Sequence, residues 1–453
     1  MLNKVKELIP TTIRSKFTNR PILQKIVKNI GWLTFERFLE LVVALLVGVW
    51  VARYLGPSDF GLMNFAIAFT VLFTPFLNLG LDVILTRELV SQPKKKYVLL
   101  GTVFWLKLIS SIIVGFIMLI LIYLIKSSDF ILFLMIFIYF IGNIINSLSI
   151  MGNYFESKIE SNKIVKSSTF ALILTNFLKI VLIILNFSVI WFVVVSLVNT
   201  IVKLSFYLVY YFKDNQEIFK WKFNFELSKK LLLLSWPLIL SSVFLYIYLR
   251  IDQVMLGLIL TEYEVGVYSV AVKLSEISYF LPTAVSISLF PILIKSRKVL
   301  REIYYERLQK MFYFFTWFPL LIIIPIFIFS NDLILFFYGP DYLSAGVTLS
   351  ILIWALLAIS IRVATDNYLN SKKLYTLTFY SSLIGAITNI IFNLILIPLY
   401  GINGAAIATV ISYFFVAYVS NLFFKETRLI FFMQLKSFNF FVVLKYLVSF
   451  LKR

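Results

Sequence analysis

The sequence predicts an all-α polytopic membrane protein, with about 12 transmembrane helices in two six-helix lobes and both termini cytoplasmic. Three observations carry this expectation. The first is composition: 61% of the residues are hydrophobic and 14% charged, against roughly half and a quarter in soluble domains. The second is that the oil lies in long unbroken runs, several beyond the roughly 20 residues a helix needs to cross a bilayer. The third is a one-sided distribution of Lys and Arg. A β-barrel would instead alternate in segments of about ten residues, and no such alternation is present.

In chain order the runs are 30–53, 60–82, 98–125, 130–153, 165–186, 188–212, 231–256, 266–290, 311–329, 345–370, 376–398 and 402–424. Segments on one side of this series hold 33 of the 42 Lys and Arg: 1–30, 87–96, 158–166, 213–230, 295–310, 372–373 and the tail after Phe424. The opposite loops hold only Arg53 and Lys126. Basic loops stay cytoplasmic, and an even number of crossings then leaves both termini inside. The formal charge of +20 is therefore a topology signal facing anionic headgroups, and no nucleic-acid partner is expected.

The basic segment 1–29 lacks the short clean apolar core of a cleaved signal peptide. Residues 425–453 are cut by Lys436 and Lys445, so neither apolar piece can span. An interfacial helix is expected there. The longest internal hydrophilic stretch, within 213–230, follows six helices and precedes six. It divides an N-lobe (30–212) from a C-lobe (231–424). Traces of a repeat agree: Gly61 in PSDFGLMNFA parallels Gly266 in EYEVGVYSVA, and Thr175-Asn176 parallels Thr388-Asn389. Two parallel lobes place the substrate at their interface near the midplane.

Cys and His are both absent. This excludes disulfides, thiolate nucleophiles and the usual zinc sites, and no phosphate-loop motif is present. No catalytic residue, metal or cofactor is assigned.

Seven cations fall within the helices: Arg37, Lys107, Lys179, Lys203, Arg250, Lys273 and Arg362. Arg250 lies near an outer end, within reach of snorkelling. Arg37/Glu40 and Lys273/Glu276 are three apart and Arg362/Asp366 four apart, spacings that face each other on a helix. Lys107, Lys179 and Lys203 have no such neighbour in their own helix. Lys107 and Lys203 sit roughly 13 Å from the inner helix ends, a depth that calls for a partner, a wet cavity or an anion. The seven are candidate contacts for an anionic substrate. Glu36, Glu40, Asp252, Glu276 and Asp366 are ion-pair partners or sites for a coupling ion.

Three stretches carry a family resemblance. NIIFNLILIPLYGINGAAIATVIS (389–412), VARYLGPSDFGLMNFAIAF (51–69) and LRIDQVMLGLILTEYEVGVYSVAVKL (249–274) resemble bacterial polysaccharide flippases of the Wzx type. These are O-antigen or teichoic-type exporters in the superfamily that also holds the MATE drug exporters and lipid II flippases. The likeness spans about 28–424. It implies translocation of a polyprenyl-pyrophosphate-linked oligosaccharide across the cytoplasmic membrane by alternating access. It implies the lipid-linked oligosaccharide and membrane lipids as partners, a polysaccharide polymerase as a further one, and a monomer. Arg37 and Lys273 fall where such proteins often carry basic residues. The competing readings are a MATE-type drug or ion antiporter, a membrane glycan polymerase and a non-transporting scaffold. Seven membrane cations disfavour the first of these, and outer loops of about 15 residues or fewer disfavour the second. Within 389–412, Asn389 and Asn393 share a face and are expected to bond across helices. Pro398 is expected to end one helix, and Gly401 and Gly404 to make the turn.

Overall fold

The computed structural model describes residues 21–214, 216–297 and 300–439. Most of the basic segment 1–29, and Lys445 with the end of the chain, lie outside them. Among the described residues the chain is helical and has no strand. The helices are α1 (Pro21–Leu72), α2 (Thr74–Asn78), α3 (Leu81–Ser91), α4 (Lys96–Ile125), α5 (Phe130–Asn146), α6 (Ile150–Ser157), α7 (Ser161–Ile184) and α8 (Val189–Lys213). There follow α9 (Phe225–Ile259), α10 (Glu262–Ser278), α11 (Phe280–Arg297), α12 (Arg301–Trp317), α13 (Leu320–Ile328), α14 (Ser330–Tyr338) and α15 (Ala345–Leu352). The last are α16 (Ala355–Lys372), α17 (Tyr375–Phe414), α18 (Ser420–Phe423) and α19 (Arg428–Ser437).

Ten helical stretches among the described residues are long and apolar enough to cross a membrane. Two of them, Leu39–Leu72 and Thr376–Phe423, each hold a pair of the expected helices. The first breaks at Gly56 (φ 70°) and the second at Gly401 (φ 57°). Both angles are left-handed, which glycine adopts without steric cost. Pro57 follows Gly56 and opens the next helical segment with its φ already set. Pro398 does not end its helix. The helix runs through it to the break at Gly401, giving up only the bond that residue 398 would have made to the carbonyl of Leu394.

The described residues gather into two compact units, one of 21–48 with 76–236 and one of 49–75 with 237–439. In the first unit Leu85, Leu100, Val103, Met151, Phe155 and Tyr211 form a core with no exposure. The hydrophilic stretch after α8 packs into this unit. Trp221 Nε1 donates to the Tyr211 hydroxyl at 3.0 Å, Lys222 N to Tyr97 O at 3.2 Å, and Asn224 N to Thr102 Oγ1 at 3.1 Å. Gly101 admits this approach: a Cβ there would lie 2.5 Å from Lys222 N.

In the second unit Phe312, Phe315, Leu356, Ile361, Ala364 and Ile430 are buried together. Here α10 meets the 57–61 segment of α1 backbone to backbone. A Cβ on Gly61 would fall 1.7 Å from Glu262 O, and one on Gly266 1.9 Å from Pro57 O. The two glycines that echo each other in sequence are thus the ones in contact. Nearby, the Arg53 Nε donates to Phe337 O at 2.7 Å and the Tyr342 hydroxyl to Ala52 O at 2.8 Å. Burial pushes the Tyr342 phenol up, which keeps it the donor.

Within the expected interfacial stretch 425–453, the described α19 is docked on the second unit. Gln434 has no exposure and its amide donates to Thr365 Oγ1 and Ala417 O, both at 2.9 Å. The outer face of α19 still presents Phe432, 62% exposed.

Candidate functional site: membrane charges in each unit

In the first unit α3, α6, α7 and α8 line an open cavity of about 820 Å³, bordered among others by Asp82, Thr86, Arg87, Asn153, Glu156, Lys203 and Tyr207. Its polar side chains form a bonded row. Asn153 Nδ2 donates to Asp82 O at 3.1 Å and to Thr86 Oγ1 at 3.2 Å. The Thr86 hydroxyl donates to Glu156 Oε2 at 3.3 Å. Behind the row, Lys107 Nζ lies 2.5 Å from Asp82 Oδ1, with Lys107 2% exposed and Asp82 45%. The deep lysine of the sequence therefore has a partner on another helix.

Lys203 lines the cavity itself. Among the described residues it makes no ion pair, though the charges of Glu36 and Glu40 act on it. Lys179 is partly buried on α7. Arg37 pairs with Glu40 at 2.7 Å on an exposed stretch of α1.

The second unit gathers the other candidates. Arg250 on α9 pairs with Glu276 on α10 at 3.2 Å. Its partner is a carboxylate from the neighbouring helix, where snorkelling was the expectation. Lys273 Nζ lies 4.2 Å from the centre of the Phe60 ring, a cation–π contact. Arg362 pairs with Asp366 at 2.9 Å and its guanidinium donates to Val416 O at 3.3 Å. Val416 belongs to a π-helical turn, Phe415–Val419. Such turns free carbonyls from the regular ladder and recur at functional sites. Tyr248 and Tyr413 lie between these pairs with ring centroids 4.8 Å apart. The charges of Arg362 and Asp366 act on Tyr248, and that of Glu276 on Tyr413.

Asp252 is set apart from these pairs. It is 4% exposed, and its carboxylate accepts from the Tyr268 hydroxyl at 2.5 Å, Thr409 Oγ1 at 3.2 Å and Gln253 N at 2.8 Å. No cation lies within ion-pair distance among the described residues. Further along α17, Asn389 Nδ2 donates to Ser412 Oγ at 3.1 Å and Asn393 Nδ2 to Asn389 Oδ1 at 2.8 Å. Both asparagines are fully buried, and the bonding crosses the Gly401 break, as their shared face predicts. Asn393 Oδ1 accepts no hydrogen bond.

Sequence reasoning missed Asp82, Asn153, Glu156, Tyr268 and Thr409. The signal for Asp82 was an acid at the end of an apolar run. For Asn153 and Glu156 it was a polar i, i+3 pair at a helix end.

The arrangement offers guanidiniums already matched to carboxylates, a geometry that a phosphate oxygen can enter by exchange. Among the described residues no cluster of three or more acids suits a metal ion.

Several known proteins are similar to this chain. "Probable flippase AglR" of Haloferax volcanii is 33% identical over 178 residues, 36% of this chain and 35% of that protein. "Probable low-salt glycan biosynthesis flippase Agl15" of the same organism is 26% identical over 179 residues. The chain thus spans about a third of the length of these relatives (35% and 37%). "Capsular polysaccharide biosynthesis protein CapF" of Staphylococcus aureus is 24% identical over 88% of this chain and 98% of that one. Among solved structures, an inward-facing multidrug resistance MATE family transporter superposes with TM-score 0.67 at 17% identity, covering 90% of this chain and 99% of its own. "Lipid II flippase MurJ, inward closed conformation" superposes with TM-score 0.64 at 18% identity, covering 94% and 93%. These two likenesses show the fold. Residues 237–395 match the MatE family. With residues 26–297, more than half of the chain, matching the family described as "Polysaccharide biosynthesis protein", this MATE-like multi-pass membrane protein belongs to the polysaccharide biosynthesis family.

Proposed function

We propose that the chain flips a polyprenyl-pyrophosphate-linked oligosaccharide across the cytoplasmic membrane by alternating access, for cell-surface polysaccharide. The carrying observation is the Arg250 and Arg362 pair of sites around Tyr248 and Tyr413. Membrane-embedded guanidiniums are costly unless they serve a charge, and a pyrophosphate is a doubly bidentate match for them. Lys179 and Lys273 add positive potential, while Lys107 is already held by Asp82, Arg37 is paired with Glu40, and Lys203 is offset by Glu36 and Glu40. The family match and the flippase names of AglR and Agl15 support the same reading. On this reading the lobes 30–212 and 231–424 rock, with the 49–75 segment of the first packed in the second unit, 213–230 links them, and a polymerase consumes the product outside.

Asp252 is the proposed coupling site. A buried carboxylate is costly as a charge; here three hydrogen bonds and the charge of Arg250 offset that cost, which suits a group that exchanges a proton or a cation. Glu40, Glu276 and Asp366 serve as ion-pair partners.

The test is deletion with complementation in the source organism. Deletion is expected to abolish surface polysaccharide and trap lipid-linked repeat units in the inner leaflet. Wild-type chain restores export. Arg250→Gln and Arg362→Gln, at equal protein levels, lower it about tenfold or more, the loss of one charge-assisted bond. Normal export by both variants would remove the proposal's basis.

A further inference from the structure

We propose that the cavity of the first unit binds the sugar of the substrate rather than its pyrophosphate, with Glu156, Asn153 and Asp82 as its hydroxyl-reading groups. This rests on the flippase reading and extends it to the part of the substrate that the first unit holds.

The charge of the lining is the first ground. Its ionisable groups are Asp82 and Glu156 on one side and Arg87 and Lys203 on the other. Arg87 Nη2 is bonded to Glu88 at 3.0 Å, and Lys203 is answered by Glu36 and Glu40. Lys107 offsets Asp82 from behind. The cavity has no positive excess. A pyrophosphate placed there would meet the carboxylates of Asp82 and Glu156 with no net positive charge to hold it.

The second ground is the bonding capacity left over. A carboxylate offers about four acceptor positions. Glu156 is exposed and uses one, in a 3.3 Å bond from Thr86. Asn153 spends its amide N–H groups on Asp82 O and Thr86, and no bond occupies its carbonyl oxygen. Both acceptors sit on α6, which the Asn153 bonds hold against α3. A vicinal diol is recognised by such an array, since each hydroxyl both donates and accepts.

The third ground is shape. The volume of about 820 Å³ lies within the roughly 300–1,000 Å³ of small-molecule sites. Val83, Val90, Ile164 and Tyr207 give the cavity an apolar wall beside the polar row, as the apolar face of a pyranose requires. Gly152 lets the Tyr207 ring of that wall pack closely: a Cβ there would lie 3.2 Å from it.

The experiment compares two probes on the purified full chain in detergent. One is bare undecaprenyl pyrophosphate. The other is the lipid-linked repeat unit extracted from the source organism. The wild type is expected to prefer the glycan-bearing lipid. Glu156→Gln, which keeps the shape and the Thr86 bond, is expected to cut that preference about tenfold, while affinity for the bare lipid changes less than about twofold. Glu156→Ala gives the same pattern with a larger loss, and thermal melts confirm that both variants are folded. Equal weakening of both lipids, or of the bare lipid alone, overturns the sugar assignment. So does a wild type that binds both lipids equally, and in that case the flippase reading stands. A wild type that binds neither lipid refutes the flippase reading and this inference with it.

Discussion

Lys107 shows how far a single residue could be read from sequence. Its depth was legible, because position in an apolar run converts directly into distance. Its partner was not. Asp82 is 25 residues upstream on another helix, and no periodicity links the two. The 2.5 Å pair with Lys107 2% exposed makes the acid the weak point. Removing one member of a buried pair leaves the other uncompensated. Because Asp82 is itself 45% exposed, we expect Asp82→Asn to cost about 1–3 kcal/mol, read by unfolding in detergent. The double variant Asp82→Asn/Lys107→Met should recover most of it. A double variant no more stable than the single one would contradict the uncompensated-charge account. Arg250 carries the complementary lesson: Glu276 was legible as an acid at helical spacing, but from Lys273, and the neighbouring helix brought Arg250 to it instead.

At the level of the element, helices were legible and their joints less so. Apolar length fixes a span, and Gly56-Pro57 and Gly401 mark breaks by chemistry that is local. Pro398 misled because a proline costs a helix one hydrogen bond and a local clash, which the surrounding packing can outweigh. The first helical segment of the second unit was also illegible as such, since membership in a packed unit depends on neighbours remote in sequence. Close helix contacts discriminate among glycines. A Cβ on Gly48 would meet nothing within 4 Å, whereas one on Gly266 would fall 1.9 Å from a backbone carbonyl. Gly48→Ala should therefore raise stability by up to about 1 kcal/mol through helix propensity. Gly266→Ala should lower it by about 1–3 kcal/mol through overpacking. Melting temperatures of the two variants moving in the same direction would contradict this contrast.

For the whole molecule, the distribution of basic residues predicts a topology that the helix packing alone does not orient. The absence of cysteine makes the test direct, because each introduced thiol is the only one. Ser128→Cys, in an expected outer loop, should react with a membrane-impermeant maleimide on intact cells. Phe219→Cys, 98% exposed as phenylalanine and in an expected inner segment, should react only after permeabilisation. The reverse pattern would invert the orientation. The family was legible at this scale too, from three short stretches, because glycine breaks and buried amides serve the fold wherever the substrate differs. The division of charge between the two units was not, since it depends on which acid each cation meets.

The meeting of Gly61 and Gly266 sets a rule of motion. Each glycine seats the carbonyl of the opposite helix, Glu262 O on one side and Pro57 O on the other. A slide of one turn along α10 would bring Val270 to the place of Gly266, and one along α1 would bring Phe65 to that of Gly61. Either side chain would collide with the peptide that the glycine admits. The crossing therefore has one register. The two helices can part and meet again, but they cannot shear past each other.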